Sequence, residues 1–235
     1  GNIVIDGHCE ASQIEAGGDV IIRKGCQGKG LGKIIAGKSI VGQFFESAVL
    51  TAGKDVQATY LLNCQLKANG KLLVEGRKGV IIGCKTCAKL GVSCNGIGNI
   101  AEIATVVSVG IDKEDMTAYQ ELQKKIEQTQ AELQTCENGL NKLMANPVHD
   151  EKVSMMIQRL TRAVYTLKSS RKELFSERDA QMEQMTKQKE ARIQVSGRVY
   201  PGTLLFLNED PFAIKEIYNN VEFVKHDNRI DTLAH

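Results

Sequence analysis

Four near-copies of one short phrase stand in the first third of the chain, and they restrict the fold more than any other feature. They are Ala16-Gly17-Gly18-Asp19-Val20, Ala36-Gly37-Lys38-Ser39-Ile40, Ala52-Gly53-Lys54-Asp55-Val56 and the weaker Ala68-Asn69-Gly70-Lys71-Leu72. Their alanines are 20, 16 and 16 residues apart. Between them run brief aliphatic stretches, among them Ile3-Val4-Ile5, Val20-Ile21-Ile22, Leu72-Leu73-Val74 and Val80-Ile81-Ile82. Such stretches, bounded by Gly or Asn, read as short strands joined by turns. A repeat this small cannot bury its own apolar face, so successive copies must stack. Parallel stacking at about 4.8 Å per turn gives a β-helix. Spacings of 16 and 20 do not fit the hexapeptide repeat of a left-handed β-helix. The expectation is therefore a single-stranded right-handed parallel β-helix through about Gly110.

From Asp112 the pattern changes from turns to heptads. Tyr119, Leu122, Ile126, Thr129, Leu133, Cys136, Leu140 and Leu143 alternate spacings of 3 and 4, which is an a/d seam. Asp112, Glu114 and Asp115 suit a helix N-terminus, and Asn146-Pro147 ends the helix. A second helix is expected from about Asp150 to Arg192. Its seam runs through Val153, Ile157, Leu160, Val164 and Leu167, then less regularly through Leu174, Met182 and Met185. Residues 112–146 carry a net charge of −3 and residues 151–192 one of +4. The short link and the opposite charges predict an antiparallel coiled-coil hairpin. Pairing centred on 147–148 sets Leu133 near Arg162 and Leu140 near Met155. After the hairpin, Ile193-Gln194-Val195 and Thr203-Leu204-Leu205-Phe206-Leu207 return to β character, with turn signals at Tyr200-Pro201-Gly202 and Asn208-Glu209-Asp210-Pro211. The predicted organisation is thus mainly β with a long α insertion. Residues 1–111 and 193–235 form one discontinuous β-helix domain, and 112–192 the inserted hairpin.

Composition narrows the function. Thirty Lys and Arg against 28 Asp and Glu leave a net charge of +2, which gives nucleic acid no electrostatic footing. No apolar stretch is long enough for an integral membrane segment. A start on glycine rather than methionine is expected of a trimmed sequence, and no leader is recognisable. Seven cysteines, an odd count at irregular spacing, point to a reducing, cytoplasmic setting rather than a disulfide framework. Cys84-Lys85-Thr86-Cys87 followed by Cys94 is the one weak candidate for a metal site. No fourth ligand accompanies it, and structural zinc wants four, so buried thiols are the expected reading and no metal or cofactor is expected. Gly25-Cys26-Gln27-Gly28-Lys29-Gly30 lacks the ending and the helix of a phosphate loop and reads as a loop bulging from the coil. Asp19 and Asp55 recur at equivalent repeat positions, as turn residues would. The four histidines are scattered through the chain. No catalytic set emerges, and the chain is expected not to be an enzyme.

Helical arms with apolar seams are either closed on themselves or shared with a partner. Met144, Val148, His149, Met155 and Met156 gather at the hairpin tip, where they either close its end as gap-fillers or are the partner-binding candidates, a contact patch held away from the body.

The ordered series of Ala-Gly repeats, Gly79-Val80-Ile81-Ile82-Gly83, Leu90-Gly91, Thr105-Val106-Val107-Ser108-Val109-Gly110 before the hairpin, and Gly197-Arg198-Val199-Tyr200-Pro201-Gly202 after it resembles the C-terminal region of the flagellar assembly protein A family. The resemblance implies a bacterial β-helix bearing a coiled-coil projection, tied to flagellar assembly or cell-surface organisation and to no catalytic residues. The expected function is a non-enzymatic scaffold whose arm binds a protein partner, with a homo-oligomer open. A bactofilin-like polymer-forming element is the first alternative and a β-helix carbohydrate-active enzyme the second.

Overall fold

The computed structural model describes residues 1–76, 79–145, 150–227 and 229–234. It falls into two compact units, Gly1–Asp112 with Thr186–His235, and Lys113–Met185. The first unit is a β-solenoid, so the chain is mainly β with a helical insertion.

Each turn of the solenoid lays down three parallel strips, and equivalent residues stack in register from turn to turn. The first strip stacks Ile3, Val20, Ile40, Val56, Leu72, Val92 and Ile193. The second stacks Cys9, Cys26, Phe45, Leu61, Ile81, Ile97 and Val199. The third stacks Ile14, Ile34, Leu50, Leu66, Thr86, Val107 and Leu205. Apart from the half-buried Ile3 and Ile14, all of these are buried. Strand side chains alternate between faces, so the three ladders meet as one continuous core.

The repeated phrase is the corner between the third strip and the first. Its alanine ends the inward row, and the next residue donates to the alanine one turn below: Gly37 N to Ala16 O at 2.8 Å, Gly53 N to Ala36 O at 2.9 Å. A Cβ on Gly37 would collide with the carbonyl of Gly17, and one on Gly53 with that of Gly37. Backbone lies directly on backbone there, which only glycine permits. The recurrent aspartates bond across turns rather than within their own. Asp19 Oδ1 accepts from Ser39 N at 3.0 Å, and Asp55 Oδ1 from Lys71 N at 2.7 Å.

Residues 25–30 divide the expected bulging loop: its first half is strand, and the bulge is confined to residues 28–31, where Lys29, Gly30 and Leu31 are exposed. Gly25-Cys26-Gln27 lies in the second strip, paired with His8-Cys9-Glu10 below and Phe44-Phe45-Glu46 above. The register breaks at Ile22/Gly25 and Gln27/Gly32, so the extra length of that turn sits on either side of a buried Cys26.

After the helices the chain rejoins the same stack. Ile193–Val199 pairs parallel with Gly91–Ile97, and Thr203–Leu207 with Thr105–Val109. Direction then reverses. Asp210–Ala213 runs antiparallel to Thr203–Leu207, Tyr218–His226 to Ile193–Val199, and Arg229–Ala234 to Tyr218–His226. Phe212, Tyr218 and Phe223 pack edge to face and tilted, with centroids 5.7 to 6.4 Å apart, and Phe223 is fully buried. These antiparallel strands occupy the edge that the last turn would otherwise expose.

The helical unit is built from α1 (Lys113–Met144) and most of α2 (Glu151–Lys189). Asp150 caps α2, its Oδ1 accepting from Val153 N at 2.8 Å. On α1 the heptad residues from Tyr119 to Leu143 are buried or half-buried, with Leu122, Ile126 and Leu133 the most enclosed. On α2 the half-buried row continues through Arg171, Leu174, Arg178, Gln181 and Met185. The expected place of Met182 in that row is therefore wrong: Met182 is 53% exposed and Gln181 takes its position. Contacts between the helices run antiparallel. Arg171 Nη1 donates to Gln130 Oε1 at 3.0 Å, and Lys168 Nζ lies 2.8 Å from Glu137 Oε1. These pairings carry Leu133 past Arg162 toward residues 168–171, about two turns beyond the expected register. Among the described residues no helix is long and apolar enough to cross a membrane.

Candidate functional site

The structure separates the three cysteines offered as a metal site. Cys84 occupies an inward corner before the third strip, and its thiol lies 3.2 Å from Ile82 O. Cys87 is three residues further along the strand Lys85–Ala88, where Thr86 and Ala88 point inward and Cys87 is only half-buried. Cys94 is inward on the first strip, stacked on Val74 and Val195. Two cysteines three apart on a strand face opposite ways. Among the described residues no group of three His, Cys, Asp or Glu side chains is placed to hold a metal ion.

Cys84 instead pairs with Cys64 one turn below, whose backbone N–H donates to Cys84 Sγ at 3.3 Å. A hydrogen bond between the two thiols, together with burial, holds Cys84 as a thiol against the opposing effect of the Cys64 backbone N–H, and the same thiol–thiol bond lowers Cys64. Burial pushes Cys94 up to about 12 and Cys26 up to about 11. Since the thiolate is the nucleophile, the native protein should leave Cys26, Cys84 and Cys94 unmodified by iodoacetamide at pH 8, and Cys64, whose pKa is lowered, should be shielded by its burial alone. Cys87 and Cys136, both half-buried, should react first. Peptide mapping with and without denaturant checks this, and early labelling of Cys84 would contradict the corner geometry.

At the helix ends, Met144 is 61% exposed, Met155 49% and Met156 51%. Met144 closes α1, while Met155 and Met156 lie in the first turns of α2. Val148 and His149, predicted beside them, lie outside the described residues. The methionines therefore leave roughly half their surface to solvent rather than sealing the seam, and thioether side chains adapt readily to a partner's surface.

Both recurrent aspartates accept backbone N–H groups at turn corners, as turn residues do. Solenoid and helices together define a class: a β-solenoid domain interrupted by a long helical insertion. The flagellar assembly protein A β-solenoid domain model matches residues 1–230, and the chain belongs to that family. Comparison with curated proteins and with solved structures returned no match.

Proposed function

We propose that this protein is a non-enzymatic scaffold of flagellar assembly, working in the cytoplasm, whose helical insertion is a coiled-coil hairpin that binds a protein partner through its methionine end. The observation carrying this reading is the contrast within α1 and α2. Their heptad rows are turned away from solvent, whereas Met144 at the end of α1 and Met155 and Met156, flanked by the half-buried Val153 and Ile157 of α2, are left open outside the seam. Membership of the flagellar assembly protein A family supports the assembly role. The winding is read as right-handed from the 16- and 20-residue spacings, which do not divide into hexapeptides. An open end-to-end polymer is disfavoured, because antiparallel strands already pair with both Ile193–Val199 and Thr203–Leu207.

The test replaces Met144, Met155 and Met156 together with glutamine in the full chain. Affinity capture from a flagellated bacterium should enrich a partner with the natural sequence and lose it with the triple variant. Equal capture by both proteins would move the binding surface elsewhere.

A further inference from the structure

Between the second and third strips the chain turns an inward corner, and the residues that fill it stack from turn to turn. Gln65 is in register with Val49 below and Lys85 above, and Val106 with Lys85 and Leu204. The residue before each gives the row Ala48, Cys64, Cys84, Thr105 and Thr203, all of them buried. Cys64 and Cys84 are therefore vertical neighbours on consecutive turns. Lys85 N donates to Cys64 O at 2.9 Å, and Cys64 N donates to Cys84 Sγ at 3.3 Å. Parallel turns are about 4.8 Å apart, inside the roughly 4.4–6.8 Å between Cα atoms that a disulfide spans. The backbone already stands at bridging distance.

The two sulfurs are unlike. Their mutual hydrogen bond holds Cys64 below the ordinary thiol range and Cys84 above it, so Cys84 keeps its proton and donates toward the Cys64 sulfur. Cys64 is the nucleophile of the pair and Cys84 the resolving thiol. Cys9 and Cys26 also stack in register, but burial raises both, and they supply no such nucleophile. Cys64 sits between the exposed Asn63 and Gln65. A small neutral oxidant needs far less opening there than iodoacetamide does.

We propose that Cys64 and Cys84 are an oxidative modification site, joined by a hydroperoxide into a disulfide that staples two consecutive turns of the solenoid. The Cys64 thiolate attacks the peroxide, the O–O bond breaks, and Cys64 becomes a sulfenic acid. The hydroxide released takes the proton that Cys64 gave up and leaves as water. The Cys84 sulfur then displaces the sulfenic hydroxyl: the S–S bond forms, the S–O bond breaks, and the Cys84 proton departs with the hydroxyl as a second water. Two electrons pass from the sulfurs to one peroxide, and a dithiol reverses the change. The bridge closes the loop 64–84 without altering the register of the stack, so it restrains the unfolded chain and raises the melting temperature.

To test this, the full chain is first blocked with iodoacetamide at its accessible thiols, then treated with hydrogen peroxide, denatured and mapped by mass spectrometry. A peptide pair linked through Cys64 and Cys84 is expected. The melt should rise by about 5 °C or more, and dithiothreitol should undo both changes. Cys84→Ala should leave Cys64 as a sulfenic acid that dimedone traps, while Cys64→Ala should give neither a bridge nor dimedone labelling at Cys84. Alanine fits this corner, since Ala48 fills it one turn below, and the linked peptide in the natural sequence decides independently of either variant. Two free thiols after peroxide, a bridge at Cys9 and Cys26 instead, or dimedone labelling at Cys84 rather than Cys64 would each overturn the assignment.

Discussion

Deleting residues 193–235 is expected to abolish a soluble solenoid. Ile193, Val195, Val199, Leu205, Leu207 and Phe223 are all buried, and each contributes about 1.5–3 kcal/mol through burial. Their combined loss is comparable to or larger than the net stability of a typical domain, about 5–15 kcal/mol. The deletion also uncovers Val92, Ile97, Val107 and Val109, which stack on the missing strands. An unpaired parallel edge above an open apolar interior is a template for aggregation. Size-exclusion chromatography and circular dichroism of a 1–111 fragment decide the matter. Aggregated or uncooperative material is expected. A soluble monomer with a sharp melt would mean that the returning strands are dispensable.

The solenoid was legible because its determinants are local and repeated. An inward alanine, a glycine corner and a branched residue opening the next strip are set by neighbours one turn away, so the spacing in sequence carries the contact in space. The CxxC pair misleads for a related reason. A strand has period two, so Cys84 and Cys87 part to opposite sides once Lys85–Ala88 is recognised as a strand. The antiparallel finish was harder to read. Its signal is aromatic: Tyr200, Phe206, Phe212, Tyr218 and Phe223 fall within 24 residues of a chain with 11 Phe and Tyr in all. Density of that kind marks a closing cluster but not the direction of its strands. Helix register escaped because the half-buried row of α2 passes through Arg171, Arg178 and Gln181, which an apolar pattern does not count.

Leu133→Asp should unfold the helical unit while the solenoid persists. Leu133 is 1% exposed, and only Leu122 and Ile126 on α1 are comparably enclosed. Burying a leucine contributes about 2–3 kcal/mol, and placing a carboxylate in an apolar seam adds a desolvation cost of similar or larger size. The unit has little to offset this, because much of the α2 row is polar and long helices depend on packing rather than propensity. Lys168 and Arg171 contact Glu137 and Gln130 on either side of Leu133, so some of the new charge can be screened. Leu133→Ala therefore accompanies it: a cavity alone should cost about 2–5 kcal/mol, and the difference between the variants isolates the charge. Circular dichroism should show helical signal melting early while β signal remains, and hydrogen exchange should show protection lost in α1 and α2 but kept along the three strips. Loss of both signals in one transition would mean that helices and solenoid fold as a single cooperative unit, leaving no separable arm to present to a partner.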